Sequence, residues 1–403
     1  MRARILNFLR AARAPLGATA ALLVLASGPV SCAAAPGAAW RPLPPLPPPQ
    51  PPPAAPPPPL PDTIAAAFPS VFKIHGSSGR QRLGNASGFV VSPDGLIVTN
   101  AHVFASMLAA SATEMVAVFD DGRVYELLPL ASDAEADIAI GRLVAPRGHA
   151  FPHLRFSAAS RAMRRGEPLA ILGAPMDGPL VCSVGSLAGH TAVADEHGLS
   201  DALRSQIGWQ LMQVDAFIAP GSSGGPVLDA HGAVVGVTVM GRFAAPQTGM
   251  ISYGVEAEQV VPVVNALLAR GAVERASAGL EISVVDALYA RQVERGTGVA
   301  LLPPLPAGEG GNAHARRGLL VDRVARGRPG EAAGLREGDV ILDINGAPVK
   351  GNSCFTRALG AVYEPGRELV CSVWRPMEKR AFVARLRPLP RPVAGARARP
   401  LAQ

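Results

Sequence analysis

The chain has 403 residues, of which 48% are hydrophobic and 17% charged, a composition that supports a buried core and excludes wholesale disorder. Its length predicts two or three domains, and its four cysteines exclude a disulfide framework. The whole chain has a formal net charge of +7, and residues 1–32 and 387–403 together contain eight arginines and no acid. Residues 33–386 therefore carry a net charge of −1. This near-neutral body gives no support for nucleic-acid binding, and we interpret residues 389–403 as a basic flexible tail.

Residues 1–32 have the pattern of an export signal. Four arginines precede an apolar run from Leu16 to Ala26, which is short for a bilayer-spanning helix of about 20 residues. Cys32 follows in a stretch that partly resembles a bacterial lipoprotein cleavage box, although Pro29 stands where that pattern has an aliphatic residue. We therefore expect a removable signal peptide, with lipidation of Cys32 or a retained membrane tether as alternatives.

Residues 33–61 form a proline-rich linker in which 14 of the 21 residues from Arg41 to Pro61 are proline. Proline-rich chains adopt extended polyproline II at about 3.1 Å per residue. We expect a stiff spacer of roughly 65 Å. A ligand for a proline-binding module is the alternative.

Residues 62–269 are predicted to be almost entirely β-structure. Short apolar runs alternate with turn signals such as Ser92-Pro93-Asp94-Gly95, which is the pattern of barrels and sandwiches. The run from Val260 to Ala269 has helical spacing and is expected to close this region.

Three segments of this region have residues suited to nucleophilic catalysis. They are Thr99-Asn100-Ala101-His102-Val103, which we place at the end of a strand, Asp137-Ile138-Ala139 at the start of a strand, and Gly221-Ser222-Ser223-Gly224-Gly225-Pro226. A serine hydroxyl needs a histidine base within hydrogen-bond reach, and the imidazole needs a buried carboxylate that holds its tautomer. Backbone N–H groups in a glycine-rich turn can stabilise the oxyanion. Singly, each residue is equally compatible with a structural histidine, a strand cap or a plain turn.

Together, the three segments closely resemble the HtrA (Deg) family of trypsin-like serine proteases. The resemblance implies a double β-barrel with His102 as general base, Asp137 as its orienting partner and Ser223 as nucleophile. The N–H groups of Gly221 and Ser223 are the expected oxyanion donors. Ser222 and Ala219 stand where the family usually has asparagine, and we expect activity to survive because the donors belong to the backbone.

The segment Met250–Ala257 resembles the last barrel strand of this family, which lines the specificity pocket. Ser252, Tyr253 and Gly254 are therefore candidate substrate-binding residues. No acid is evident at the base of this pocket, which favours a small or medium aliphatic side chain before the scissile bond.

Residues 275–388 are predicted to form a second, smaller α+β domain that resembles a PDZ domain of the HtrA type. A strand at Gly318–Val324, a short helix ending at Gly334 and an Asn345-Gly346 turn support this fold. The resemblance implies that Gly279, Leu280, Glu281 and Ile282 grip a peptide C-terminus. Glu281 replaces the usual glycine, so a PDZ fold used only for packing or regulation is the alternative.

The fold class that follows is mainly β, with a trypsin-like double β-barrel and one smaller PDZ-like domain. The resemblance implies an exported serine endopeptidase that cleaves unfolded or misfolded envelope proteins, with no metal or organic cofactor and a homotrimeric or larger assembly. A catalytically silent, chaperone-like peptide-binding scaffold is the alternative function. An esterase is less favoured because the nucleophile lacks the Gly-x-Ser-x-Gly elbow.

Overall fold

The computed structural model describes residues 40–51, 56–192, 210–243, 250–304, 317–349, 351 and 353–390. The predicted signal segment with Cys32 lies outside the described residues, as does the predicted tail beyond residue 390. Two compact units divide the chain between Glu274 and Arg275. In the described part of the chain, no helix is both long enough and apolar enough to span a membrane.

The first unit contains two closed six-stranded barrels, which confirms the predicted mainly β fold. The first barrel consists of β1 (Val71–Ser78), β2 (Gln81–Val90), β3 (Leu96–Thr99), β4 (Glu114–Phe119), β5 (Val124–Asp133) and β6 (Ile138–Leu143). The second consists of β7 (Pro168–Gly173), β8 (Val181–Ala192), β9 (Gln210–Asp215), β10 (Pro226–Leu228), β11 (Val234–Phe243) and β12 (Met250–Glu256). Its helices are α1 (Leu60–Ala67), α2 (Ala101–Ala109) and α3 (Ala257–Arg270).

Both barrels have the same strand order, since the order β1-β2-β3-β6-β5-β4 is repeated as β7-β8-β9-β12-β11-β10. Closure leaves neither sheet with an unpaired edge. Each barrel is filled by its inward-facing apolar side chains. Fully buried examples from the first barrel are Phe72, Ile74, Val90, Ile97 and Phe104.

Part of the proline-rich segment packs against the first unit and does not extend away from it as a spacer. The residues that face the protein recur every third position, at Trp40, Leu43 and Leu46, which is the period of polyproline II. The backbone N–H of Leu43 and the indole N–H of Trp40 donate to the carbonyl of Leu268 in α3, at 2.8 and 3.1 Å. The spacer prediction therefore fails for residues 40–51, because apolar residues at this spacing give the segment one face that can be buried.

The second unit is built on one antiparallel sheet with the order β14-β15-β16-β18-β19, to which β17 is added beside β16. Its strands are β13 (Ala276–Ser277), β14 (Leu280–Asp286), β15 (Arg317–Val324), β16 (Val340–Ile344), β17 (Ala347–Pro348), β18 (Leu369–Arg375), β19 (Arg380–Leu386) and β20 (Leu389–Pro390). Its helices are α4 (Ala287–Thr297), α5 (Pro329–Ala332) and α6 (Ser353–Leu359). Two residues assigned to the tail thus form β20, which pairs with β13.

The predicted turn at Asn345-Gly346 joins β16 to β17, and both of its residues have positive φ angles, of 53° and 76°. Positive φ at both central positions is what a type I′ hairpin turn requires.

The structure forms no disulfide between Cys354 and Cys371. Burial, together with the nearby charge of Asp343, raises the pKa of the Cys371 thiol to about 12.

A buried ion pair joins the loop before β16 to the end of β18. Nε and Nη2 of Arg375 donate to the two carboxylate oxygens of Asp339 at 2.7 and 2.8 Å, and Nη2 also donates to the carbonyl of Gly334. The side chains of Arg375 and Asp339 are only 5% and 1% exposed. Such a pair stabilises a fold little more than well-packed apolar residues of similar volume would. Removing one of the two partners, however, leaves the other as an unpaired buried charge.

We expect Arg375→Ala to lower the free energy of unfolding of the second unit by about 3–5 kcal/mol, because Asp339 would remain charged and buried. Urea unfolding followed by the fluorescence of Trp374 would measure this loss. The matched control is Arg385→Ala, which removes an exposed ion pair with Glu368 and should cost far less, because water screens exposed pairs. Equal losses in the two variants would contradict the prediction.

Candidate active site

His102 is the second residue of α2, directly after β3, and does not lie at the end of a strand as predicted. The backbone leaves β3 through Asn100, which is extended and fully buried. The side-chain amide of Asn100 donates to the carbonyl of Asp137 at 2.9 Å. The first turn of the helix therefore holds the imidazole against the start of β6.

Asp137 contacts His102 through both of its carboxylate oxygens. Oδ2 lies 2.8 Å from Nδ1 of the imidazole, and Oδ1 accepts a hydrogen bond from the backbone N–H of His102 at 2.9 Å. The carboxylate is 8% exposed, whereas the imidazole is 48% exposed. A carboxylate is an acceptor only, so this geometry favours the proton on Nδ1 and leaves Nε2 free to accept one.

Asp137 adopts a left-handed backbone conformation, with φ of 53°. Left-handed conformations at residues other than glycine cost of order 1 kcal/mol, and they persist where the surrounding structure holds them. Here the carbonyl of Asp137 is held by Asn100 and its carboxylate by His102. The strain at Asp137 is therefore compensated by the contacts that orient the imidazole.

The opposing charge of Asp137 determines the proton affinity of His102. Partial shielding from water by itself lowers the pKa of the His102 imidazole, but the negative charge and the hydrogen bond of Asp137 outweigh this effect. The net result is that the pKa of His102 is raised above its ordinary value of 6.5. A base of this kind gains proton affinity from its partner and is protonated in mildly acidic solution.

Ser223 lies in the nucleophile loop, residues 221–226, between β9 and β10. Gly221 has a φ angle of 101°, and a Cβ atom there would come within 2.4 Å of the carbonyl oxygen of Ala174. Only glycine fits that position. The Ser223 hydroxyl donates to the carbonyl of Val239 at 3.2 Å and forms no hydrogen bond with His102 in this structure.

Among the described residues, no acceptor faces two backbone N–H groups of the nucleophile loop, those of Gly221 and Ser223. The carbonyl of Pro220 accepts a hydrogen bond from the N–H of Met176 at 2.7 Å. Because C=O and N–H of a trans peptide point in opposite directions, this contact turns the N–H of Gly221 away from Met176. Unpartnered N–H groups of this kind can bind a developing oxyanion.

The three candidate pocket residues lie on β12, as the sequence predicted, but they are not equivalent. The Ser252 hydroxyl is fully buried and donates to the carbonyl of Ala216 at 2.5 Å, so it ties β12 to the segment that leads into the nucleophile loop. Tyr253 is also buried. A Cβ atom at Gly254 would meet side chains of the barrel interior, namely Val227 and Met212.

The residues predicted to grip a peptide end lie at the start of β14, an edge strand of the second sheet. Gly279 has a φ of 70°. Leu280 and Ile282 pack against the apolar core of this unit. Glu281 pairs with Arg323 at 3.0 Å, and both side chains are largely exposed. The arginine thus offsets the negative charge of Glu281, which by itself would repel the carboxylate of a peptide C-terminus.

Sequence reasoning missed two residues that shape the site. Asn100 and Ser87 are both fully buried and polar. Ser87 bonds to Gly221 and Ala174. Asn100 lies in the segment Thr99–Val103 and Ser87 lies twelve positions before that segment, but their types alone did not distinguish a site residue from an ordinary strand residue. Their partners are 37 to 134 positions away.

Family models and curated proteins give consistent matches. Residues 86–237 match the trypsin-like peptidase domain and residues 306–353 match the PDZ domain. The chain is 30% identical over 280 residues to the "Putative serine protease HhoA" of Synechocystis sp., covering 69% of this chain and 64% of that protein. It is 26% identical to the "Probable periplasmic serine endoprotease DegP-like" of Brucella suis, covering 74% of this chain and 51% of that one. The chain thus spans about half to two thirds of these relatives.

Solved structures share the fold. The HtrA-type protease AlgW with a tripeptide aligns with a TM-score of 0.62 at 23% identity, over 83% of this chain and 98% of that one. The serine endoprotease from Yersinia pestis aligns with a TM-score of 0.54 at 20% identity, over 84% and 100%. With both family domains matched in order, the chain belongs to the HtrA/Deg family of trypsin-like serine proteases with a C-terminal PDZ domain.

Proposed function

We propose that the protein is a serine endopeptidase in which Ser223 attacks the peptide carbonyl, His102 is the general base and Asp137 orients it. The observation that supports this most directly is the 2.8 Å contact between Asp137 and Nδ1 of His102. That contact leaves Nε2 as the site that accepts the serine proton. A buried carboxylate placed behind an accessible imidazole is the arrangement this chemistry needs.

The reaction would proceed by an acyl-enzyme pathway. Rotation of the Ser223 side chain away from Val239 would bring its hydroxyl to the imidazole, since catalytic hydrogen bonds often form only with substrate bound. His102 takes the hydroxyl proton as the C–O bond forms, and it then gives the proton to the leaving amine. The N–H groups of Gly221 and Ser223 bind the oxyanion. Water, deprotonated by the same imidazole, hydrolyses the ester.

Labelling with a fluorophosphonate tests the proposal directly. We expect the full chain to form a covalent adduct at Ser223 and to degrade unfolded casein faster than folded protein, because an extended chain can enter the cleft between barrels. Short esters should not be preferred. Absence of labelling at any pH or with any activating peptide would reject the enzyme and favour the silent peptide-binding scaffold.

We further propose that unfolded or misfolded proteins of the cell envelope are the substrates, and that the protein is exported. The signal pattern of residues 1–32 and the periplasmic description of the Brucella relative support this. Mass spectrometry of the mature amino terminus would distinguish cleavage from lipidation at Cys32. Light scattering of the purified chain would test the trimer that the family suggests.

The PDZ unit is proposed to bind peptide C-termini beside β14. An edge strand offers unpaired backbone groups for strand addition, and the apolar side chains of Leu280, Ile282 and Val284 lie on the core-facing side of this strand. The N–H of Gly279 donates to the Ser277 hydroxyl at 3.2 Å, so the N–H groups that follow Gly279 in the turn would face the terminal carboxylate.

We expect a peptide with an apolar residue at its free C-terminus to bind about 10- to 100-fold more tightly than the same peptide amidated at that end. Each hydrogen bond to a charged group contributes about 1.5–3 kcal/mol. Fluorescence anisotropy with the full chain would measure both affinities. Equal affinities would mean that the Gly279–Ile282 segment does not grip a carboxylate.

A further inference from the structure

We propose that Ser87, a residue of β2 in the first barrel, is a positioning residue for the nucleophile loop of the second barrel. The inference rests on the proposed function and adds a residue to its machinery. Ser87 is fully buried, so its hydroxyl is not available to substrate or water. Its role would be to hold the groups that bind the oxyanion.

The Ser87 hydroxyl acts both as a donor and as an acceptor, and in this way it connects two segments of the second barrel. It donates to the carbonyl of Gly221 at 2.7 Å, and it accepts from the N–H of Ala174 at 2.9 Å. The space around it is tight, because a Cβ atom at Gly173 would lie 3.0 Å from the Ser87 oxygen. A methyl group cannot replace these two bonds.

The Ser87 backbone holds the same loop from the other side of the nucleophile. Its N–H donates to the carbonyl of Ser223 at 2.9 Å, and its carbonyl accepts from the hydroxyl of Thr99 at 2.8 Å. The carbonyl of the nucleophile Ser223 and the carbonyl of Gly221, two residues before it, are therefore both bonded to one residue. Thr99 lies three positions before His102, so the contact also reaches the strand that leads to the base.

These contacts determine where the candidate oxyanion donors point. Ser87 holds the carbonyls of the Gly221–Ser222 and Ser223–Gly224 peptides. These two peptides lie on either side of the Ser222–Ser223 peptide, which carries the N–H of Ser223. Met176 lies two residues after Ala174. Its N–H donates to the carbonyl of Pro220, and this contact orients the N–H of Gly221. The Ser87 hydroxyl thus connects the nucleophile loop to the segment that orients the N–H of Gly221. Without it, Gly221 and Ala174 would each keep a buried polar group without a partner.

Kinetics of Ser87→Ala would test the inference. We expect kcat, measured per titrated active site, to fall about 10- to 100-fold with KM changed less than about threefold, because small misplacements of reacting groups carry penalties of that size. The rate of fluorophosphonate labelling and the affinity of a peptide boronate, whose adduct is tetrahedral, should fall in parallel. Peptide binding to Ser223→Ala and to Ser87→Ala/Ser223→Ala should be equal, since Ser87 does not contact substrate.

Two further variants separate positioning from simple loss of stability. Ser87→Cys adds no further atom and keeps a weaker donor, so its activity should lie between that of the wild type and that of Ser87→Ala. If Ser87→Ala does not fold, Ser87→Cys gives the same comparison. The matched control is Ser157→Ala, because Ser157 is equally buried but its hydroxyl accepts only from the N–H of Ala159. Its kinetics should match those of the wild type.

The outcomes distinguish this inference from the proposed function. A wild type that is labelled, with Ser87→Ala labelled at the same rate, would overturn the inference and leave the function intact. The inference would also be overturned if Ser87→Ala had fewer titratable active sites but a normal kcat at each of them. That result would mean that Ser87 is needed only for folding. A wild type that is never labelled would overturn the proposed function, and the inference with it.

Discussion

Ser223→Ala is expected to reduce kcat by about 10⁴- to 10⁶-fold, because the variant retains the fold and the oxyanion donors but has no nucleophile. Steady-state hydrolysis of a peptide or of casein measures the loss, and the fluorophosphonate adduct should disappear completely. KM should change little. The variant would also be suited to binding studies, since substrate would remain intact.

The neighbouring serine provides the matched control. Ser222 is buried, its N–H is bonded to the carbonyl of Ala219, and its side chain lies within the same turn. Ser222→Ala should keep kcat within about tenfold of the wild type, since the proposed oxyanion donors belong to the backbone. If Ser222→Ala lost labelling and Ser223→Ala kept it, the assignment of the nucleophile would be wrong.

Asp137→Asn is expected to lower kcat/KM by about 10⁴-fold. An asparagine amide can donate to Nδ1 of His102, which would favour the tautomer with the proton on Nε2, and that nitrogen could then not accept the serine proton. The control is Asp94→Asn, because Asp94 pairs with Arg142 in the β2–β3 turn, where it is exposed. Activity of that variant should remain within about twofold of the wild type.

The pH dependence of kcat/KM follows from the same contact. Only neutral His102 can accept a proton, and the charge of Asp137 raises the pKa of His102 above 6.5. Activity of the wild type should therefore rise with pH through an apparent pKa above 6.5, and it should be lost on acidification at a higher pH than an isolated histidine would predict. A profile centred below 6.5 would contradict the raised pKa.

Much of this protein could be predicted because the signals are local. The Gly221–Pro226 run specifies a tight turn through the φ angles that only glycine adopts easily, and Asn345-Gly346 specifies a hairpin for the same reason. Short apolar runs separated by turn signals indicated most strands of the two barrels. Strand β5 was not predicted, because its polar and apolar residues do not form a clear periodic pattern. Helix α4 was missed although its buried residues Ala287, Ala290 and Val293 recur at helical spacing.

The sequence by itself thus determined the fold class, the turns and the three segments that hold the candidate catalytic residues. Tertiary structure alone decided that His102 lies at the start of a helix, that residues 40–46 pack against α3, that Arg323 pairs with Glu281, and that Ser87 holds the loop around Ser223. The physical reason is distance along the chain. Residue types record local backbone preferences, whereas a hydrogen bond between residues 87 and 221 exists only after both barrels have closed.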